Sequence, residues 1–65
     1  MKYTNAWGDV LDVWFEVRRC RKNQDTITTT HNTLKEATKA HRQAQATKRY
    51  DCVYIAMMTE EGEIE

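Results

Sequence analysis

The chain has 65 residues, and its 10 Lys and Arg are balanced by 10 Asp and Glu. A chain this short forms one domain, residues 1–65, and leaves little room for a deep catalytic pocket. No apolar run reaches the roughly 20 residues that cross a bilayer, and the first residues lack the apolar stretch of a secretory signal. We therefore expect a cytoplasmic protein without membrane contact.

Residues 1–9 precede the first periodic stretch and are predicted as a lead-in. They contain a turn signal, Trp7-Gly8-Asp9, because glycine adopts dihedral angles that other residues avoid. Trp7 is large and apolar, so we expect it to fold back over one end of the core.

The stretch from residue 10 to residue 19 alternates with the period of a β-strand. Its odd positions from 11 to 17 are apolar: Leu11, Val13, Phe15 and Val17. Its even positions from 12 to 18 are charged around one aromatic: Asp12, Trp14, Glu16 and Arg18. The pattern predicts a strand with one face in the core and the other in water.

Residues 21–25 have no apolar side chain and include the turn formers Asn23 and Asp25, which predicts a hairpin loop. Residues 26–30 are β-branched throughout, a composition that favours a strand over a helix. Because Ile27 is the one clearly apolar side chain there, we expect a thinly packed edge strand.

A capping box then predicts the start of a helix, with the hydroxyl of Thr33 accepting from the amide of Glu36 and the carboxylate of Glu36 returning to the amide of Thr33. A narrow seam follows at spacings of three and four residues: Leu34, Ala37, Ala40 or His41, and Ala44. Small alanines let the helix approach the sheet closely. We expect the helix to end near Thr47.

Residues 49–58 are predicted as the last strand. Its core-facing positions are Val53, Ile55 and Met57. Its opposite positions are Tyr50, Cys52, Tyr54 and Ala56. Residues 59–65 are acidic around Gly62 and are expected to fray.

These elements predict an α+β fold of order β-β-α-β, with one helix packed on one face of a three-stranded antiparallel sheet. The predicted sheet order is 2-1-3, which places the most apolar strand in the centre. The other face is open to water, as antiparallel sheets permit. Trp14 and Tyr54 are expected to be neighbours on that open face.

Charge is divided along the chain. Residues 18–49 contain nine cations against Asp25 and Glu36, a net charge of +7, and the rest of the chain carries −7. We expect a strong charge dipole, which steers partners more than it determines the fold. The alternative is a solvated surface whose charges neutralise each other.

The predicted open face is the main candidate for binding. Its partner-binding residues are expected to be Trp14, Tyr54, Arg18, Glu16 and Asp12. Large aromatics and arginine supply much of the binding energy of protein interfaces. The alternatives are that a second copy of the chain, in a homodimer, or the chain's own termini cover this face.

A basic patch gives an alternative function, binding of single-stranded nucleic acid at the hairpin and the aromatic sheet face. Its residues are Arg19, Arg21, Lys22, Lys35, Lys39 and Arg42. The neutral total charge and the carboxylates beside Trp14 argue against it, and the Gly-aromatic run of RNA-binding sheets is absent.

Metal-ligand side chains occur at four separated positions, Cys20, His31, His41 and Cys52. Because structural zinc sites pair their ligands at short spacing, we expect no metal and no cofactor. His41 is expected to be partly buried on the helix and His31 to lie on the surface. A Cys-His pair has no third group to support it, so we expect no catalytic residues and no enzyme.

The two cysteines have the same outward parity on their strands, which leaves a disulfide between Cys20 and Cys52 as an alternative. A reducing compartment would keep both side chains as thiols.

The aromatic first strand, the hairpin and the helix start Thr33-Leu34-Lys35-Glu36-Ala37 resemble the small early proteins of lytic phages, which include an inhibitor of bacterial RNA polymerase. The resemblance covers residues 10–58 as a strand-strand-helix-strand plan. It implies a non-enzymatic inhibitor that blocks a bacterial host enzyme or defence complex during host takeover. That phage family presents arginines on its last strand, and residues 52–58 have none, so no binding residue is carried over.

Overall fold

The computed structural model describes residues 2–64. The elements along the chain are β1 Lys2–Thr4, β2 Val10–Cys20, β3 Ile27–His31, α1 Leu34–Thr47, β4 Cys52–Thr59 and β5 Gly62–Glu63. Every strand pair is antiparallel. The predicted α+β class, with one helix and an antiparallel sheet, is confirmed. Met1 and Glu65, the ends of the predicted lead-in and tail, lie outside the described residues.

The sheet has five strands, not the predicted three, and its order differs from 2-1-3. The hydrogen-bonded path runs β1-β2-β4-β5, and β3 pairs with β2 off this path. β1 pairs with residues 10–12 of β2, and β3 pairs with residues 15–19 along one edge of β2. β4 follows the other edge of β2 from the pair Val13–Thr59 to the pair Cys20–Cys52.

The predicted lead-in contains β1, which a turn folds back onto β2. The Oδ1 atom of Asn5 accepts from the amides of Trp7 at 3.0 Å and Asp9 at 2.9 Å. Gly8 adopts a φ of 84°, so the predicted turn is present. Trp7 is 84% exposed, and its predicted packing over the core is wrong because the turn holds it away from the sheet.

The predicted frayed tail turns back onto β4. The hydroxyl of Thr59 donates to the carbonyl of Gly62 at 3.0 Å and accepts from the amide of Glu61 at 3.1 Å. Gly62 has a φ of 113°, which favours glycine at this turn. The amide of Ile64 donates to the carbonyl of Met57 at 2.9 Å, and the Ile64 side chain packs against the core. This one apolar contact helps to anchor an otherwise acidic segment.

The core lies between α1 and the inner face of the sheet, defined as the face that carries the odd positions of β2. Val13, Phe15 and Val17 are buried there together with Ala37 of the helix. Around them pack partly buried side chains from the strands and the helix: Tyr3, Ala40, Val53, Ile55, Met57 and Ile64. The predicted alternation of β2 is confirmed.

Helix α1 begins and ends where the sequence predicts. The hydroxyl of Thr33 accepts from the amide of Glu36 at 3.2 Å, and Lys48 closes the helix in a left-handed conformation. Ala37 and Ala44 are buried. Leu34 is 54% exposed, so its predicted place in the seam is wrong. It is the first helical residue, and the buried seam begins one turn later.

One helix on one sheet makes a thin, elongated molecule with Cα extents of 41 × 24 × 14 Å. The shortest dimension has room for a single layer of core side chains, since packed layers lie about 10 Å apart. Within residues 2–64, no helix combines the length and apolar character needed to cross a lipid bilayer.

A candidate docking face on the open side of the sheet

The face of the sheet opposite α1, called the outer face below, carries the even positions of β2 and β4. Across the two strands, the directly opposed residues are Trp14–Met58, Glu16–Ala56, Arg18–Tyr54 and Cys20–Cys52. The helix packs on the inner face, so within residues 2–64 it does not cover these side chains. The outer face is therefore the side of the sheet that the helix leaves uncovered.

Arg18 is the centre of a charged cluster on the outer face. Its Nη2 atom lies 2.9 Å from Oε1 of Glu16, and its Nη1 atom lies 3.1 Å from Oε1 of Glu63. The guanidinium carbon is 5.8 Å from the ring centre of Tyr54, and Nη2 is 3.5 Å from the sulfur of Met58. Side-chain hydrogen bonding to Tyr54, and to a smaller extent to Glu16, raises the pKa of Arg18. One cation thus stands between two carboxylates.

The apolar part of the outer face surrounds a small residue. Ala56 is 5% exposed although no helix covers it, because larger side chains flank it on both strands. Trp14 and Met58 form the pair on one side of Ala56, and Arg18 and Tyr54 form the pair on the other. Trp14 is half-buried and Tyr54 is 43% exposed. Larger side chains therefore cover Ala56, with an aromatic on each side of it.

Trp14 and Tyr54 are not the direct neighbours that the sequence predicted. The register opposes Tyr54 to Arg18 and Trp14 to Met58, so the Glu16–Ala56 pair separates the two rings. Tyr50, predicted on this face, precedes β4 and is half-buried. Strand parity gave the correct face for Trp14 and Tyr54, whereas the offset between the strands depended on long-range pairing.

Asp12 lies at the margin of the outer face. It is exposed and forms an ion pair with Lys2 of β1. The hydrogen bond and the positive charge of Lys2 lower the pKa of Asp12. The structure therefore brings four of the predicted partner-binding residues into one group and leaves Asp12 paired at the edge. That group is Trp14, Glu16, Arg18 and Tyr54.

Sequence reasoning missed Glu63 and Met58 as members of this surface. Glu63 arrives on β5, which exists because the chain turns at Gly62. Met58 was predicted within the last strand but was not assigned to a face. Gly62 after three polar residues was an available turn signal, and strand parity placed Met58 beside Ala56.

The predicted basic patch is divided among the inner face of the sheet, the loop after β2 and the helix. Arg19 is half-buried, and its Nη1 atom donates to the carbonyl of Val17 at 3.2 Å and to the hydroxyl of Thr29 at 2.9 Å. Arg21 and Lys22 are exposed after β2. The helix cations line an open hollow on the side of the molecule away from Trp14: Lys35, Lys39 and Arg42.

Because β2 and β4 pair antiparallel, the basic and acidic segments of the sequence lie at opposite ends of the molecule. The basic end contains the residues after β2 and before β4: Arg21, Lys22, Lys48 and Arg49. The acidic end contains residues from the opposite termini of these strands and from β5: Asp9, Asp12, Glu60, Glu61 and Glu63. The amide of Lys22 donates to the carboxylate of Asp51, which joins the two segments of the basic end.

The histidines have hydrogen-bond partners within the fold. Nε2 of His41 lies 3.1 Å from the carbonyl oxygen of Val53, and Nε2 of His31 lies 2.8 Å from the hydroxyl of Thr29. His31 is half-buried at the end of β3 and is less exposed than predicted. Among residues 2–64, no three His, Cys, Asp or Glu side chains form a group that could hold a metal ion.

Comparisons with protein families, curated proteins and solved structures give no match to this chain.

Proposed function

We propose that this protein is a non-enzymatic binding module whose outer face docks onto another protein. The observation that supports this function is the group of side chains around Ala56, which comprises the Trp14–Met58 pair on one side and the Arg18–Tyr54 pair on the other. Aromatic and arginine side chains are the residue types that anchor protein interfaces. An apolar surface of the partner would pack against Trp14 and Tyr54.

The charges of the outer face favour a protein over a nucleic acid. Arg18 is already paired with Glu16 and Glu63, so the group carries one positive and two negative charges. A phosphate backbone would be repelled by the unpaired negative charge, because nucleic-acid affinity depends on uncompensated Lys and Arg. A protein surface can instead offer a cation to Glu63, which is 42% exposed in its side chain.

The class of partner follows from the phage resemblance. We propose a bacterial host protein, blocked stoichiometrically by a small inhibitor. A protein of 65 residues has too little volume for an elaborate catalytic site, but one sheet face offers enough surface for a specific contact.

Binding of single-stranded nucleic acid remains the second proposal, and it is supported by the exposed helix cations Lys35, Lys39 and Arg42. In this alternative the contact surface is the helix side, because these cations lie across the sheet from Trp14 and Tyr54.

A pull-down from bacterial lysate with matched tryptophan variants tests the main proposal. Trp14→Ala removes the aromatic from the outer face, and Trp7→Ala removes an equally large aromatic that is 84% exposed at the turn. We expect Trp14→Ala to weaken capture of the partner by about 30-fold or more, the loss typical of a central interface tryptophan. Trp7→Ala should bind like the wild type, and circular dichroism should show that both variants are folded.

Equal capture by wild type and Trp14→Ala would contradict the docking face. Nuclease treatment and a salt series distinguish the second proposal. Phosphate contacts lose affinity steeply as salt rises, whereas an interface centred on Trp14 should change less. Loss of binding after nuclease treatment, or in a Lys35→Glu/Lys39→Glu variant with Trp14 intact, would support nucleic-acid binding by the helix.

A further inference from the structure

Cys20 and Cys52 face each other at the basic end of the molecule. Cys20 is the last residue of β2, Cys52 is the first residue of β4, and the two are directly opposed partners in the antiparallel ladder. Directly opposed residues of such a ladder have Cα atoms about 4.5–5.5 Å apart. Disulfides span Cα distances of about 4.4–6.8 Å, so the backbone already has a separation that a disulfide can bridge.

Both side chains point to the outer face and are free thiols. Cys52 is exposed and Cys20 is half-buried, so a small oxidant can reach the pair. A hydrogen bond with Cys20, followed by burial, raises the pKa of Cys52. The sulfur of Cys20 also lies 3.8 Å from the hydroxyl of Thr26.

We propose that Cys20 and Cys52 form a dithiol site that a low-molecular-weight disulfide, such as oxidised glutathione, converts to an intramolecular disulfide. The thiolate of one cysteine attacks the small disulfide, forms a mixed disulfide and releases one glutathione thiolate. The second cysteine, as its thiolate, attacks the protein sulfur of the mixed disulfide and releases the second. The two protons lost by the protein are taken up by the two released thiolates, so one glutathione disulfide yields two glutathione thiols.

The new bond would close a loop that contains the hairpin loop, β3 and α1. A crosslink around a loop of this size stabilises a protein mainly by restricting the unfolded chain. We therefore expect the melting temperature to rise by about 10 °C. The site lies on the outer face two residues from Arg18, and the inference does not depend on what that face binds.

Incubation of the reduced full chain with oxidised glutathione tests the site. Intact mass should fall by about 2 Da, the mass of the two hydrogen atoms removed. Neither cysteine should then react with a thiol-specific reagent. Oxidised protein should run as a monomer without reductant, and dithiothreitol should restore its original mass and melting temperature. The rate should rise with pH, because attack requires a thiolate.

The variants Cys20→Ser and Cys52→Ser are matched controls, since each retains one thiol in a nearly identical fold. Each should stop at a mixed disulfide with glutathione and show no comparable rise in melting temperature. Wild-type protein that accumulates as a glutathione adduct or a disulfide-linked dimer would overturn the proposal. An intramolecular disulfide that lowers the melting temperature would also overturn it, because the native strand register would then not fit the bond.

Discussion

Lys48 ends α1 in a conformation that suits glycine better than lysine. Its φ is 55°, and its amide donates to the carbonyl of Gln45 at 3.2 Å. A side chain with a Cβ atom is strained in this left-handed region, whereas glycine is not. The backbone at Lys48 is therefore strained, and a glycine at this position would relieve the strain.

Lys48→Gly should raise the free energy of unfolding by about 0.5–1 kcal/mol, because the relief of strain exceeds the added freedom of glycine in the unfolded chain. The measurement is the urea midpoint of unfolding. Lys48→Ala is the matched control, since it removes the same charge but keeps the Cβ atom, and it should give no such gain. A gain of equal size in both variants would assign the effect to charge.

Individual residues differ in how clearly the sequence reports their role. Thr33 was predictable as a helix cap because its hydroxyl acts on an amide only three residues away. Asn5 was not recognised, although its side chain accepts from two amides and holds the first turn. The partner of Tyr54 could not be predicted either, because it depends on how β2 and β4 are offset.

At the scale of elements, the long periodic segments were predicted well and the shortest were missed. β2 and α1 contain enough residues for an alternation or a helical seam to be visible. β1 has 3 residues and β5 has 2, which is too few for a period to be read. These strands form because turns at Gly8 and Gly62 return the chain to an existing strand.

The contact between α1 and the sheet depends on small side chains. Ala37 is fully buried against the core strand, so the helix approaches β2 with no space for a larger residue. Ala37→Leu should lower the free energy of unfolding by about 1–3 kcal/mol through overpacking. Thermal or urea unfolding measures the change.

Ala46→Leu is the control for this prediction. Ala46 is exposed on the same helix, and leucine has nearly the helix propensity of alanine, so its effect should stay within about 0.5 kcal/mol. If both leucine variants had the same stability, the proposed close approach at Ala37 would be wrong.

At the scale of the whole molecule, the fold is unusually extended for its length. The Cα radius of gyration is 13.3 Å, whereas a compact domain of this length has a radius of about 11 Å. The difference arises from the flat shape of one sheet carrying one helix. A second layer on the outer face would make the particle thicker and more nearly spherical.

Small-angle scattering of dilute protein should therefore give a monomer mass and an elongated particle with a radius of gyration of about 13–14 Å, hydration included. A dimer mass at low concentration would show that a second copy covers a surface of the chain, and the Trp14→Ala variant would then reveal whether that surface is the outer face. The same measurement in high salt tests whether the acidic and basic ends attract between molecules.

The longest ladder of the sheet has a consequence for how quickly the native state is reached. β2 and β4 are joined from Val13–Thr59 to Cys20–Cys52, and the whole of β3 and α1 lies between them in the chain. The hairpin of β2 with β3 and the turns of α1 involve nearby residues, so they can assemble while the polypeptide is still largely unstructured. The central pairing has to wait for a long loop to close, and this entropic barrier should make folding slower than in a helical bundle of the same length.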